Sequence, residues 1–125
     1  MTVEDAATPL IVDIATGFAS LVGRTEPRWS RAYLRLRTAG AVSEAKGSYV
    51  HEAGVEIIDV LKHSDYFSSV VQSGQDLLGA LGRTEGVLLL VVDPDLHYEV
   101  MFEYQNLERW RMTKLGGGTG IPEGM

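Results

Sequence analysis

A chain of 125 residues, 45% of them hydrophobic, is sized for a single domain with its own core and is too apolar to be disordered. Its formal net charge of −6 argues against a nucleic-acid binder, which neutralises phosphates with clustered Lys and Arg, and suits attraction to a basic partner. The absence of cysteine excludes disulfides, thiolate nucleophiles and Cys-based zinc sites together.

The first residues, MTVEDAATPL, lack the basic region of a signal peptide, and no apolar stretch approaches the roughly 20 residues that span a bilayer. A cytoplasmic protein is expected. Thr8-Pro9 predicts a helix start, with a hydroxyl at the N-cap and proline at the first helical position. Leu10, Ile14, Phe18 and Leu21, joined by Ile11 and Val22, form its apolar stripe. Gly23 marks the stop, and Glu26-Pro27 prevents continuation.

From Trp29 to Thr38 the period changes to two. Ala32, Leu34 and Leu36 alternate with Arg31, Tyr33, Arg35 and Arg37. The arginines read either as a phosphate-binding strip or as a sheet face paired with acids on neighbouring strands. The second reading is favoured, because Glu99 and Glu103 supply a matching acidic row. Ser48–His51 reads as a second strand with edge character. Val55–Leu61 fits a strand or one helical face, and is read as a short third strand.

Ser64 or Asp65 caps the second helix, whose stripe is Phe67, Val70, Val71, Leu77, Leu78 and Leu81, ending at Gly82. Gly74 on that stripe implies close approach to another backbone. Val87–Val92 is an unbroken, β-branched apolar run, a strand buried on both faces. Asp93-Pro94-Asp95-Leu96 has the chemistry of a type I turn. His97–Tyr104 then alternates, with Tyr98, Val100, Phe102 and Tyr104 on one face and His97, Glu99, Met101 and Glu103 on the other. After Trp110, residues up to Leu115 fit a short last strand or a docked segment. Gly116–Met125 (GGGTGIPEGM) reads as a flexible glycine-rich tail. The order predicts a single α+β domain over residues 1–115: an antiparallel β-sheet of four to six strands with two helices packed on one face.

No catalytic constellation accompanies these elements. His51, His63 and His97 lie in separate elements without metal-ligand spacing, and His97-Glu99 would join His51-Glu52 only if their strands paired. The glycine run at 116–120 lacks the strand before it and helix after it that a phosphate loop needs. Ser68, Ser69 and Ser73 have no elbow motif or neighbouring base. An enzyme, a metal site and a cofactor are therefore not expected. What remains is surface. Asp93, Asp95, Glu99, Glu103 and Glu108, with Tyr104 and Trp110, combine aromatic anchors with a charged rim, and are the candidate partner-binding residues. The alternative is that Tyr104 and Trp110 close the core and the acids keep the sheet wet.

The layout also carries a resemblance. An amphipathic helix precedes Pro27-x-Trp29 and an alternating strand, and Phe102-Glu103-Tyr104-Gln105-Asn106-Leu107 follows the apolar strand and its Asp turn. Over roughly residues 9 to 110 this resembles the YezG-like immunity proteins of bacterial polymorphic toxin systems. That family has a Trp at the head of its first strand and an F-[DE]-Y-x-[DN]-L sequence near its end. The glycine-rich C-terminus and the shorter, less acidic second helix depart from the pattern. The resemblance implies a cytoplasmic, non-catalytic protein that binds a cognate toxin domain, often a nuclease, and occludes it without touching nucleic acid or membrane itself. The alternative is a small adaptor or secretion chaperone that binds a partner for delivery.

Overall fold

The computed structural model describes residues 3–125, with side chains from residue 7 onward. Its elements in chain order are α1 (Val3–Thr25), β1 (Arg31–Ala39), β2 (Val42–His51), β3 (Gly54–Ile57), α2 (Ser64–Ala80), β4 (Glu85–Val92) and β5 (Tyr98–Glu103). The strands form one antiparallel sheet in the order β3-β2-β1-β4-β5, and the two helices cover one face of it. The α+β class follows from that arrangement. No described helix is long and apolar enough to cross a membrane.

Period-two patterning places Ala32, Leu34 and Leu36 of β1 beside Leu88, Leu90 and Val92 of β4, all buried under the helices. Ile14, Phe18, Leu21 and Val22 of α1 and Phe67, Val70 and Leu77 of α2 close this core from above. At Gly47 of β2 the Phe18 side chain of α1 packs directly on the strand. A Cβ there would stand 3.1 Å from the Phe18 ring and 3.2 Å from Ile58, so only glycine lets the ring sit on the strand. Gly74 does face a close neighbour, but that neighbour is the Leu36 side chain, 3.0 Å from a built Cβ, and not a backbone.

Several expected boundaries move. α1 begins at Val3, so Pro9 lies inside the helix and Thr8 is not its N-cap. The proline fits helical φ and forfeits one main-chain hydrogen bond, which a long, packed helix tolerates. The same helix passes Gly23 and ends at Thr25. β2 is ten residues long and interior, not a short edge, because β3 pairs along its outer side. Residues 55–61 are divided, with β3 ending at Ile57 and a short 3-10 turn from Val60 to His63, capped by the Asp59 carboxylate. α2 therefore starts on that turn, with His63 at its N-cap and no side-chain cap from Ser64 or Asp65.

The second face of the sheet is not left wet. Residues 105–125 cross it as an irregular strap, and Trp110 and Met112 pack onto Tyr33, Val87, Leu89 and Val91 in a second, smaller core. The docked-segment alternative for residues after Trp110 is the one the structure takes. Residues 116–125, expected as a flexible tail, fold back on this strap. The amide of Gly120 donates to the Thr113 carbonyl at 3.1 Å and that of Glu123 to the Arg111 carbonyl at 2.9 Å. Pro122 is fully buried. Gly120 adopts φ +90° with Val55 3.1 Å from a built Cβ, so a glycine is required at this closure. Hence β4 is buried on both faces, as its unbroken apolar run requires.

Candidate functional site

Strap, arginines and acids are tied together by the strand order. Along the strap side of the sheet, cross-strand rows run Glu44–Arg37–Val87–Glu103, Lys46–Arg35–Leu89–Met101 and Ser48–Tyr33–Val91–Glu99. β4 thus inserts Val87 and Val91 between the arginine strand and the acids of β5, two strand spacings or about 9–10 Å apart. The expected pairing of Arg31, Arg35 and Arg37 with Glu99 and Glu103 does not form, because β1 and β5 are not neighbours.

The arginines hold the strap instead. Arg35 is 6% exposed and donates through Nε to the Arg109 carbonyl at 2.8 Å and through Nη2 to the Leu107 carbonyl at 2.7 Å. Arg37 adds a 3.0 Å bond to the same Leu107 carbonyl and pairs with Glu108 at 3.3 Å. Glu44 of β2 lies 3.5 Å from Arg35 and 3.8 Å from Arg37. Burial pushes the Arg35 guanidinium below its ordinary value, with Glu44 opposing it. Arginine stays charged there and satisfies carbonyls that an irregular segment would otherwise leave unpaired.

The seven candidate contact residues therefore separate into two groups. Trp110 is buried, 4% exposed, with φ +63°, and anchors the strap. Tyr104 stacks on Phe102 at 6.2 Å with the Arg83 guanidinium 4.1 Å over its ring. Glu103 accepts from the amides of Gln105 and Asn106 and pairs with Arg109 at 2.9 Å, and these contacts hold its carboxyl below the usual range. Glu108 belongs to Arg37. These four residues build the corner at which the chain leaves the sheet.

Asp93, Asp95 and Glu99 occupy the other end of β5. The type I turn forms as its residues dictate, with the Leu96 amide donating to the Asp93 carbonyl at 3.0 Å. Asp93 is spent on it: its carboxylate accepts from the amides of Asp95 at 2.9 Å and His97 at 3.1 Å and approaches the His97 ring at 3.2 Å. Partial burial pushes this carboxyl up, but those donors bring it below its usual range. Asp95 and Glu99 are exposed, and among the described residues neither side chain has an ion-pair partner. Asp93, Asp95 and His97 place one ligand atom each within 4.8 Å of one another, a grouping the turn itself accounts for. His51 lies near the opposite edge of the sheet from His97, so the two never share a site.

No known protein family matches this chain, and no curated protein does.

The edge itself is the remaining surface. β5 is the outermost strand on its side of the sheet, with one row of backbone donors and acceptors not used by β4. Tyr98 is 43% exposed and Leu96 is 49% exposed at its start, and Val100 and Phe102 are partly buried along it. Sequence patterning located this strand and its acids. It missed which acids were committed to the strap, since that depends on Arg35 and Arg37 reaching residues about 70 positions away.

Proposed function

We propose that this chain is a cytoplasmic, non-catalytic immunity protein that binds a basic toxin domain along the β5 edge and blocks its active or substrate-binding surface. One observation carries the reading. β5 is an open edge strand whose start combines two acids without an ion-pair partner among the described residues, Asp95 and Glu99, with exposed Leu96 and Tyr98. An edge of that kind offers main-chain hydrogen bonds to an added strand, and its acids steer a basic partner into register. Both sheet faces are already covered, by helices and by strap. The resemblance to the YezG-like immunity proteins supports the same reading, and here its Phe102–Leu107 sequence forms the corner that joins the edge to the strap.

The binding set is accordingly narrower than the acidic inventory: Asp95, Leu96, Tyr98 and Glu99, with Asp93 shaping the loop. The test is co-expression with the product of the adjacent gene. That product is expected to arrest growth alone and to be harmless beside this chain. The double charge reversal Asp95→Lys with Glu99→Lys is expected to weaken binding at least tenfold, since like-charge juxtaposition at an interface costs several kcal/mol, with the far-UV spectrum unchanged. A neighbour that is harmless by itself, or full protection by the reversed variant, would sink the proposal.

A further inference from the structure

A pocket of about 350 Å³ opens between β2 and the strap, separate from the Asp95–Glu99 end of β5. Arg35, Lys46 and Arg111 line it together with Glu44 and Glu108. Both acids are already engaged by Arg37, Glu44 at 3.8 Å and Glu108 at 3.3 Å. The cations are not matched in the same way. Arg35 and Lys46 are direct cross-strand partners, and like charges placed opposite one another destabilise a sheet. Among the described residues, the partly buried Lys46 and the exposed Arg111 have no ion-pair partner. Arg35 directs three bonds to Arg109, Leu107 and Glu44, which leaves part of its five-donor guanidinium unused. The pocket lining thus sets three cations, Arg35, Lys46 and Arg111, against two carboxylates that Arg37 also engages from outside it, in a chain whose net charge is −6.

A net positive lining, held partly by a buried guanidinium that cannot swing away and with both acids already engaged by Arg37, suits an anion. The Nη hydrogens that Arg35 does not spend on the strap and Glu44, beside a lysine point charge, suit the oxygens of a phosphate. The volume lies at the small end of the range for small-molecule pockets, which favours a metabolite-sized ligand over a polymer. We propose that this pocket binds the phosphate group of a small phosphate monoester, with Arg35, Lys46 and Arg111 as its ligands. The Arg111 carbonyl also accepts the Glu123 amide, so occupancy would brace the strap against β2.

The experiment is an NMR titration of the intact chain at constant ionic strength, following the amides of Lys46, Arg111 and Thr113. Phenyl phosphate, inorganic phosphate and succinate are compared. Saturable shifts confined to β2 and the strap are expected with phenyl phosphate. Lys46→Gln should weaken binding about tenfold or more, the value of one charge-assisted contact, with its fold intact because Lys46 supports no other residue. Lys62→Gln, outside the pocket, should bind as wild type does. Linear, non-saturating shifts, or a Lys46→Gln variant that binds unchanged, would overturn the site. Succinate binding as tightly as phenyl phosphate would overturn the assignment to phosphate, and inorganic phosphate binding as tightly would overturn the assignment to a monoester.

Discussion

Trp110 decides whether the strap is part of the fold, and replacing it gives a quantitative answer. Its side chain is 4% exposed against Tyr33, Val87, Leu89 and Val91. A Trp that buries about 150–250 Å² contributes roughly 4–6 kcal/mol at 25 cal/mol per Å², an upper bound for an extended unfolded reference. Truncations of buried Trp to Ala cost about 3–5 kcal/mol, so about 4 kcal/mol is expected for Trp110→Ala. For a chain of this length that corresponds to a fall of roughly 12–20 °C in Tm. The backbone supplies a second, independent check. Trp110 has φ +63°, a region that costs any residue with a Cβ about 1 kcal/mol and costs glycine almost nothing. Trp110→Gly should therefore be no less stable than Trp110→Ala, reversing the usual advantage of alanine. Urea unfolding followed by far-UV circular dichroism measures both variants. A loss under about 1 kcal/mol for Trp110→Ala would refute the packed strap. A glycine variant less stable than the alanine variant by a similar margin would refute the left-handed backbone.

Three further outcomes follow from single residues. Tyr66 lies between Phe18 and Phe67 with its hydroxyl buried and without a hydrogen-bond partner among the described residues, and burial pushes its pKa well above the ordinary phenol value. Tyr66→Phe should raise stability by about 1 kcal/mol in urea unfolding, and a loss would show that the hydroxyl has a partner. Leu96 holds φ +63° at the hairpin loop, where glycine is the usual residue, so Leu96→Gly should gain up to about 1 kcal/mol, measured as a higher Tm. Glu103 has a depressed pKa in the folded state, so its contribution is present above the ordinary carboxylate range and is lost as pH falls through its folded value. The stability gap between wild type and Glu103→Gln should accordingly be constant near neutrality and close under acid, and a gap that widens on acidification would contradict the bonding described.

The parts of this fold that could be read locally were those fixed by local physics. β4 announced itself because a strand covered on both faces has no polar side, and the Asp93-Pro94 turn because its first residues are chemically committed to it. α2 showed its stripe for the same kind of reason. What stayed hidden was non-local. Strand order places β1 beside both β2 and β4, and nothing in the period of β1 says which acids will reach Arg35. The glycine-rich C-terminus reads as a tail because its order comes from contacts with Thr113, Arg111 and Val55, and not from any periodicity of its own. Trp110, open in sequence between an interface anchor and a core residue, is a core residue for the same cause. A buried aromatic on an irregular segment has no pattern to betray it.

The strap also changes what the acidic residues can mean. Of the acids near the hairpin and corner, Asp93, Glu103 and Glu108 are each bonded by groups that folding itself supplies, an Asx turn, two amides with Arg109, and Arg37. Folding explains them fully, so they carry no information about a partner. Asp95 and Glu99 are the informative ones, because desolvating either has no internal compensation and their exposure beside Leu96 and Tyr98 leaves an edge both sticky and charged. An unprotected edge with apolar residues invites pairing with copies of the same chain, and an acid on it is one means by which sheets resist that. Glu99 would repel a second acidic copy while attracting a basic strand. On the proposed reading the same residue discriminates between self-association and a cognate partner. Glu99→Lys, which leaves the edge neutral beside Asp95, should weaken partner binding and permit self-association, read as a higher mass in sedimentation. A variant that stays monomeric would show that Glu99 does not guard the edge.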